Sequence, residues 1–101
     1  MIIAEEQGES STKKSGKSIL IWTGKQIELI ELGYGLYETG SFNNGNASRK
    51  DIFDYFEEVF DVDLGNTSSL FQDIVQRKTG STTFLDIMRK KLLQRIDEFL
   101  N

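Results

Sequence analysis

The sequence predicts an all-α fold, a small four-helix domain of the helix-turn-helix type with room for one minor short β element. Apolar residues recur at helical spacing in four segments. Turn-forming Gly and Asn separate these segments. The 101 residues, 38% of them hydrophobic, suffice for one domain with a core. Residues 1–17 are rich in Glu, Ser, Lys and Gly, so we expect a disordered tail or linker there and the helical domain over residues 18–101.

The domain opens with a predicted short strand, because apolar residues run from Ile19 to Trp22. The first helix, helix A, is predicted over Lys25–Glu38. Thr23 and Gln26 have the spacing of a capping box, and Gly40 is the expected C-terminal stop.

Helix A is apolar around most of its circumference, which is typical of a helix at the centre of a core. Its polar strip consists of Glu28, Glu31, Gly35 and Glu38. One side then needs a cover, either the strand or a second subunit. We therefore expect a symmetric homodimer if the strand does not suffice.

Three more helices are predicted, B over Arg49–Phe60, C over Thr67–Arg77 and D over Thr83–Leu100. Ser48 is the expected cap of helix B, with Asp51 three residues on. The expected inner faces are Ile52, Tyr55, Phe56 and Val59 in helix B, Leu70, Phe71, Ile74 and Val75 in helix C, and Phe84, Leu85, Met88, Leu92, Ile96 and Phe99 in helix D. Any small sheet should join the strand to the segment near Phe42.

The composition argues against catalysis. With no Cys and no His, the chain lacks disulfides, thiol nucleophiles, imidazole bases and Cys/His zinc sites. The carboxylates Asp51, Asp54, Asp61 and Asp63 are best interpreted as solvated charges and helix N-terminal charges. We expect no enzyme, no cofactor and no metal. No apolar run is long enough to span a bilayer, and the missing cysteines suggest a cytoplasmic protein.

The charged residues are distributed unevenly along the chain, and the basic ones are concentrated in its later part. The net charge is −4, but residues 43–64 hold two basic and six acidic side chains, whereas residues 65–95 hold six basic and two acidic. The basic part includes helix C and the start of helix D, so double-stranded DNA is a candidate partner.

On helix C, the face opposite the apolar residues carries Ser69, Gln72 and Gln76, which could contact base edges. Arg77 and Lys78 follow and could reach phosphates. Asp73 shares this face and would repel phosphate. The alternative is an ordinary polar face whose cations suit a helix C-terminus.

The turn into helix D offers a second contact, because it is short and contains Gly80. Ser81, Thr82, Arg89 and Lys90 would then lie near DNA. Arg89 borders the apolar face, and Lys90 has the spacing to pair with Asp86. We favour helix C as the recognition element and keep the start of helix D as a secondary contact.

A family resemblance runs through many short segments in one order. They are Trp22-Thr23-Gly24, Leu29-Ile30-Glu31-Leu32, Leu36-Tyr37-Glu38, Phe42-Asn43-Asn44-Gly45, Tyr55-Phe56-Glu57, Val59-Phe60, Asp63-Leu64-Gly65, Arg77-Lys78, Phe84-Leu85-Asp86 and Leu92-Leu93-Gln94-Arg95. Across 22–98 the chain thereby resembles the C-terminal domain of the RteC proteins, regulators carried by Bacteroides tetracycline-resistance conjugative transposons.

The resemblance implies an all-helical domain related to winged-helix DNA binders. It also implies a transcriptional activator of the excision and mobilisation genes of the element, without a cofactor. The alternative is a non-catalytic protein-interaction domain without DNA affinity. Its acidic surface on helix B, Asp51, Asp54, Glu57 and Glu58, would suit a basic partner. One continuous basic patch around helix C would favour DNA, and scattered charges would favour the alternative.

Overall fold

The computed structural model describes residues 19–101 and is helical, as predicted. Its four α-helices are α1 (Gln26–Glu38), α2 (Arg49–Val59), α3 (Thr67–Val75) and α4 (Thr83–Leu100). They correspond to predicted helices A to D, and α4 has the predicted bounds. The expected tail at residues 1–17 lies outside the described residues. None of the helices in the described part is both long and apolar enough to cross a membrane.

The start of α1 differs from the prediction, whereas its end agrees. Lys25, not Thr23, is the N-terminal cap residue, and its backbone N–H donates to Glu28 Oε1 at 3.1 Å. The indole N–H of Trp22 donates to the Lys25 carbonyl at 3.0 Å, which fixes the chain at this entry. At the other end Gly40 has φ +67°, and its N–H donates to Tyr37 O at 3.1 Å. Gly40 therefore stops α1 as predicted.

The predicted strand over Ile19–Trp22 is wrong, since no strand forms within residues 19–101. Ile19, Leu20 and Ile21 are exposed. Trp22 makes a backbone hydrogen bond to the Phe60 carbonyl at 3.0 Å, at the end of a helix. The expected pairing segment near Phe42 leads instead into a 3-10 turn, Asn43–Gly45. Alternating apolar residues do not make a strand where no second strand is available.

The core lies where α1 meets α2 and α3. Leu29 and Ile30 of α1 are completely buried, as predicted for a central helix. On α2, Phe53 is buried although we expected Tyr55 there, and Tyr55 is exposed. The remaining buried apolar residues are Ile52, Phe56, Leu64 and Ile74. Gly33 accounts for the difference on α2, because the Phe53 ring packs where a side chain at Gly33 would otherwise lie.

The last helix packs much less than predicted. Phe84 and Leu85 are half-buried, with the Phe84 ring edge-on to Trp22 at 6.1 Å between centroids. The expected inner residues beyond them, Met88, Leu92, Ile96 and Phe99, are exposed, as is Val75 of α3. The inward orientation predicted for these five residues is therefore wrong. The reason is that packing against α1 is confined to the start of α4.

Candidate nucleic-acid interface

Short local hydrogen bonds set up α2 and α3, the helices around the predicted interface. Ser48 caps α2 as predicted, with its Oγ accepting from Asp51 N at 3.0 Å. Asn66 caps α3, with its Oδ1 accepting from Ser69 N at 2.9 Å. On α3, Ser69, Gln72 and Asp73 are exposed, so the polar face predicted for this helix faces solvent.

Gln76 is also exposed. It is the C-terminal cap residue of α3, whereas the predicted helix included it. α3 ends at Val75, two residues before the predicted end at Arg77. The connection to α4 is residues 76–82, longer than the three- or four-residue turn of a helix-turn-helix.

Arg77, a predicted phosphate contact, is turned inward. Its Nη1 lies 2.9 Å from Glu31 Oε1 and also donates to the Ser81 carbonyl at 3.2 Å. The other oxygen of Glu31 accepts from the backbone N–H of Leu85, in the first turn of α4, at 2.7 Å. Glu31 is buried and holds both the end of α3 and the start of α4 against α1. The guanidinium of Arg77 thus stabilises the fold of this turn.

The sequence did not indicate this role of Glu31, which we predicted only to belong to the polar strip of helix A. The two partners are 46 residues apart, so no local pattern connects them. The available signal was the position of Glu31 itself, because a carboxylate amid an otherwise apolar helix needs a cationic partner if it is buried.

The remaining predicted contacts of the turn are exposed. Lys78, Ser81 and Thr82 all face solvent. The Thr82 hydroxyl donates to Asp86 Oδ1 at 3.1 Å, so it serves a local bond at the start of α4. Asp86 does not pair with Lys90, contrary to the prediction, because its carboxylate is engaged by Thr82.

Besides Lys78, the exposed basic groups near this turn lie on α4. Arg89, Lys90 and Lys91 are exposed, and none of them makes an ion pair within residues 19–101. Arg95 lies 3.8 Å from Glu98 of the same helix. At 100° per residue, Lys90, Lys91 and Gln94 share one side of α4 with Ile87 and Glu98, and the Glu98 carboxylate is the one that lies near Arg95. We call Lys90, Lys91 and Gln94 the α4 outer face. Lys91 and Gln94 were not among the predicted contacts, because α4 was interpreted mainly as a core helix.

The carboxylates of α2 are, by contrast, largely engaged. Asp51 is in the capping box with Ser48, and Asp54 pairs with Lys50. The hydrogen bond that Lys50 donates to Asp54, together with the negative charge of Asp54, raises the pKa of Lys50. Glu57 Oε2 accepts from Leu64 N at 2.9 Å. The acidic surface expected to attract a basic partner therefore already takes part in internal bonds.

A groove of about 440 Å³ lies between α2 and α3. Its floor includes Tyr34 and Phe71, stacked with 3.9 Å between ring centroids. Arg49 lies over the Tyr34 ring at 5.7 Å. Residues 19–101 bring no group of three potential metal-binding side chains together.

Comparison with protein families identifies the chain. The family profile described as RteC protein matches residues 2–99, nearly the whole sequence. The match includes residues before Trp22, where the resemblance seen in the sequence begins. Searches of curated proteins and of solved structures found no match. The chain belongs to the RteC family.

Proposed function

We propose that this chain is a DNA-binding transcriptional regulator domain that controls excision and mobilisation genes of a conjugative transposon. Membership of the RteC family is consistent with a regulator of such genes. The observation that carries DNA binding is the α4 outer face, where two lysines without carboxylate partners flank an exposed glutamine.

The chemistry of this face suits a duplex. Lys90 and Lys91 offer ammonium groups for phosphates, and Gln94 between them can form two hydrogen bonds with an adenine edge. From Asp86 onward α4 is exposed, so about four turns of helix are free to enter a major groove. Lys78 adds a further exposed cation in the preceding turn. The proposal therefore moves the main contact from α3, favoured on sequence, to α4.

Fluorescence anisotropy with double-stranded promoter DNA of the element, at two salt concentrations, tests the proposal. Lys90→Ala and Lys91→Ala should each weaken binding to promoter and random DNA, and each should reduce the salt slope by about one. Gln94→Ala should cost about 1–3 kcal/mol on the preferred site and little on random DNA. Lys50→Ala is the matched control, because this lysine is also exposed but pairs with Asp54 on α2. The Lys50→Ala variant should bind DNA with the affinity of the wild-type chain.

A sign test separates α4 from α3. If α3 approaches DNA, Asp73→Asn should strengthen non-specific binding, since it removes a charge that repels phosphate. Gln72→Ala and Gln76→Ala should then lose specific affinity. If α4 approaches DNA, Asp73→Asn should leave the affinity for DNA unchanged, whereas Lys90→Ala and Lys91→Ala should weaken it. No affinity for any DNA at low salt would contradict both assignments and leave the protein-interaction function, which the exposed apolar residues of α4 favour.

A further inference from the structure

The buried apolar core of residues 19–101 is complete before α4 begins. All of its side chains come from α1, α2, α3 or the loop before α3. They are Leu29, Ile30, Ile52, Phe53, Phe56, Leu64 and Ile74. No residue of α4 is buried. The first three helices, which we call the α1–α3 core, therefore have a packed interior of their own, and α4 lies outside it.

The apolar contacts that attach α4 to this core lie at its N-terminal end. The Phe84 ring is edge-on to the Trp22 indole at 6.1 Å between ring centroids. Leu85 packs beside Gly35 of α1. Both Phe84 and Leu85 are only half-buried, and every residue of α4 from Asp86 onward is exposed. Because these contacts bury little apolar surface, they contribute only modestly to holding α4 in place.

A buried carboxylate supplies the polar part of the attachment. Glu31 is 4% exposed. Its Oε1 accepts from Arg77 Nη1 at 2.9 Å, and its Oε2 accepts from Leu85 N at 2.7 Å. Arg77 also donates to the Ser81 carbonyl in the connection to α4, at 3.2 Å. Hydrogen bonds to a charged group are stronger than neutral ones. We call this set of bonds the Glu31 junction.

We propose that α4 undocks from the α1–α3 core as one unit while the core stays folded, and that Glu31 is the positioning residue that sets the fraction of molecules with α4 docked. Undocking exposes two half-buried side chains and breaks the bond from Leu85 N to Glu31. It therefore costs less free energy than opening the core, whose buried side chains keep their neighbours when α4 leaves. The orientation of every group on α4 thus depends on one carboxylate. The inference does not depend on DNA binding.

Hydrogen–deuterium exchange of the full chain at increasing urea concentrations tests whether α4 opens alone. The amides of Ile87 and Met88 lie in α4 just after the Glu31 junction. Their exchange should depend only weakly on urea, because undocking exposes little surface. Exchange at Leu29 and Ile30 should rise steeply with urea, because it requires unfolding of the core. An equally steep dependence at all four amides would overturn the proposal, since α4 would then open only together with the core.

The Glu31→Gln variant tests the role of the carboxylate. It keeps the size of the side chain and removes its charge, so it should raise the exchange rates of Ile87 and Met88 about tenfold while their weak urea dependence remains. Glu98→Gln is the matched control, because it removes an exposed carboxylate of α4 that lies near Arg95. It should leave these exchange rates unchanged.

Two outcomes with Glu31→Gln would overturn the proposal. Exchange rates of Ile87 and Met88 equal to those of the unsubstituted chain would show that this turn opens by local fraying, without a contribution from Glu31. Loss of the helical circular-dichroism spectrum would show that the α1–α3 core does not stay folded without the Glu31 junction.

Discussion

Two regions of this molecule have similar apolar residues in opposite environments. Around α1 the apolar side chains are buried, and Leu29 is 0% and Phe56 5% exposed. On α4 the same residue types face solvent, with Leu92 61% and Phe99 85% exposed. The comparison shows that helical periodicity identifies an apolar face but not what covers it. In α1 the cover comes from neighbouring helices, whereas beyond its first turns α4 has no such cover among residues 19–101.

The largest expected difference in stability comes from replacing a phenylalanine with alanine in each of the two regions. Phe56 contacts the rings of Phe42, Phe53 and Phe60, at centroid distances of 6.4, 6.2 and 5.6 Å. Phe56→Ala should therefore lower the free energy of unfolding by about 3–5 kcal/mol. Phe99→Ala should change it by less than about 0.5 kcal/mol in a dilute, monomeric sample. Urea unfolding followed by circular dichroism measures both. Equal losses would show that α4 belongs to the same packed unit.

A second pair compares two carboxylate–arginine contacts. Glu31→Ala removes a buried acceptor from both Arg77 and Leu85 N, so it should cost about 1.5–3 kcal/mol. Glu98→Ala removes an exposed i,i+3 partner of Arg95 and should cost less than about 1 kcal/mol. The same urea titration measures both variants. If Glu31→Ala were as mild as Glu98→Ala, the buried contact would not hold α4 to α1.

The third pair uses the two glycines inside α1. Gly33→Ala would drive a methyl group into the Phe53 ring, and overpacking of this kind costs about 1–3 kcal/mol. At Gly35 an added Cβ would meet Leu85 Cδ1 of α4 at an ordinary 3.6 Å. Gly35→Ala should therefore raise the unfolding free energy by about 0.5–1 kcal/mol through helix propensity. Thermal melts of the two variants should shift in opposite directions. A shift in the same direction would contradict the packing assigned to one of them.

Features encoded by neighbouring residues could be predicted from the sequence. The Ser48–Asp51 cap and the stop at Gly40 depend on residues within a few positions of each other, and both form as predicted. The position of α4 was also predictable, because its apolar spacing persists over 18 residues. Local chemistry thus determined where most helices begin and end.

Features that depend on distant residues could not be predicted. The Glu31–Arg77 contact joins residues 46 apart and removes Arg77 from the solvent-facing cations. The rotation of α2 that buries Phe53 in place of Tyr55 depends on Gly33 of another helix. For the candidate site, the sequence located the basic end of the chain but favoured α3. It could not show that α4 leaves its outer face free, because that depends on how little of α4 contacts α1.

Hydrogen–deuterium exchange of the full chain tests most directly the claim that α1 belongs to a closed core and α4 to a binding surface. In a dilute sample without DNA, the amides of Leu29 and Ile30 should exchange slowly, whereas those of α4 beyond Leu92 should exchange much faster. Adding promoter DNA should slow exchange in α4 and leave α1 unchanged. If α4 were as protected as α1 in the free chain, and DNA did not alter its exchange, the account of α4 as a binding helix would be contradicted.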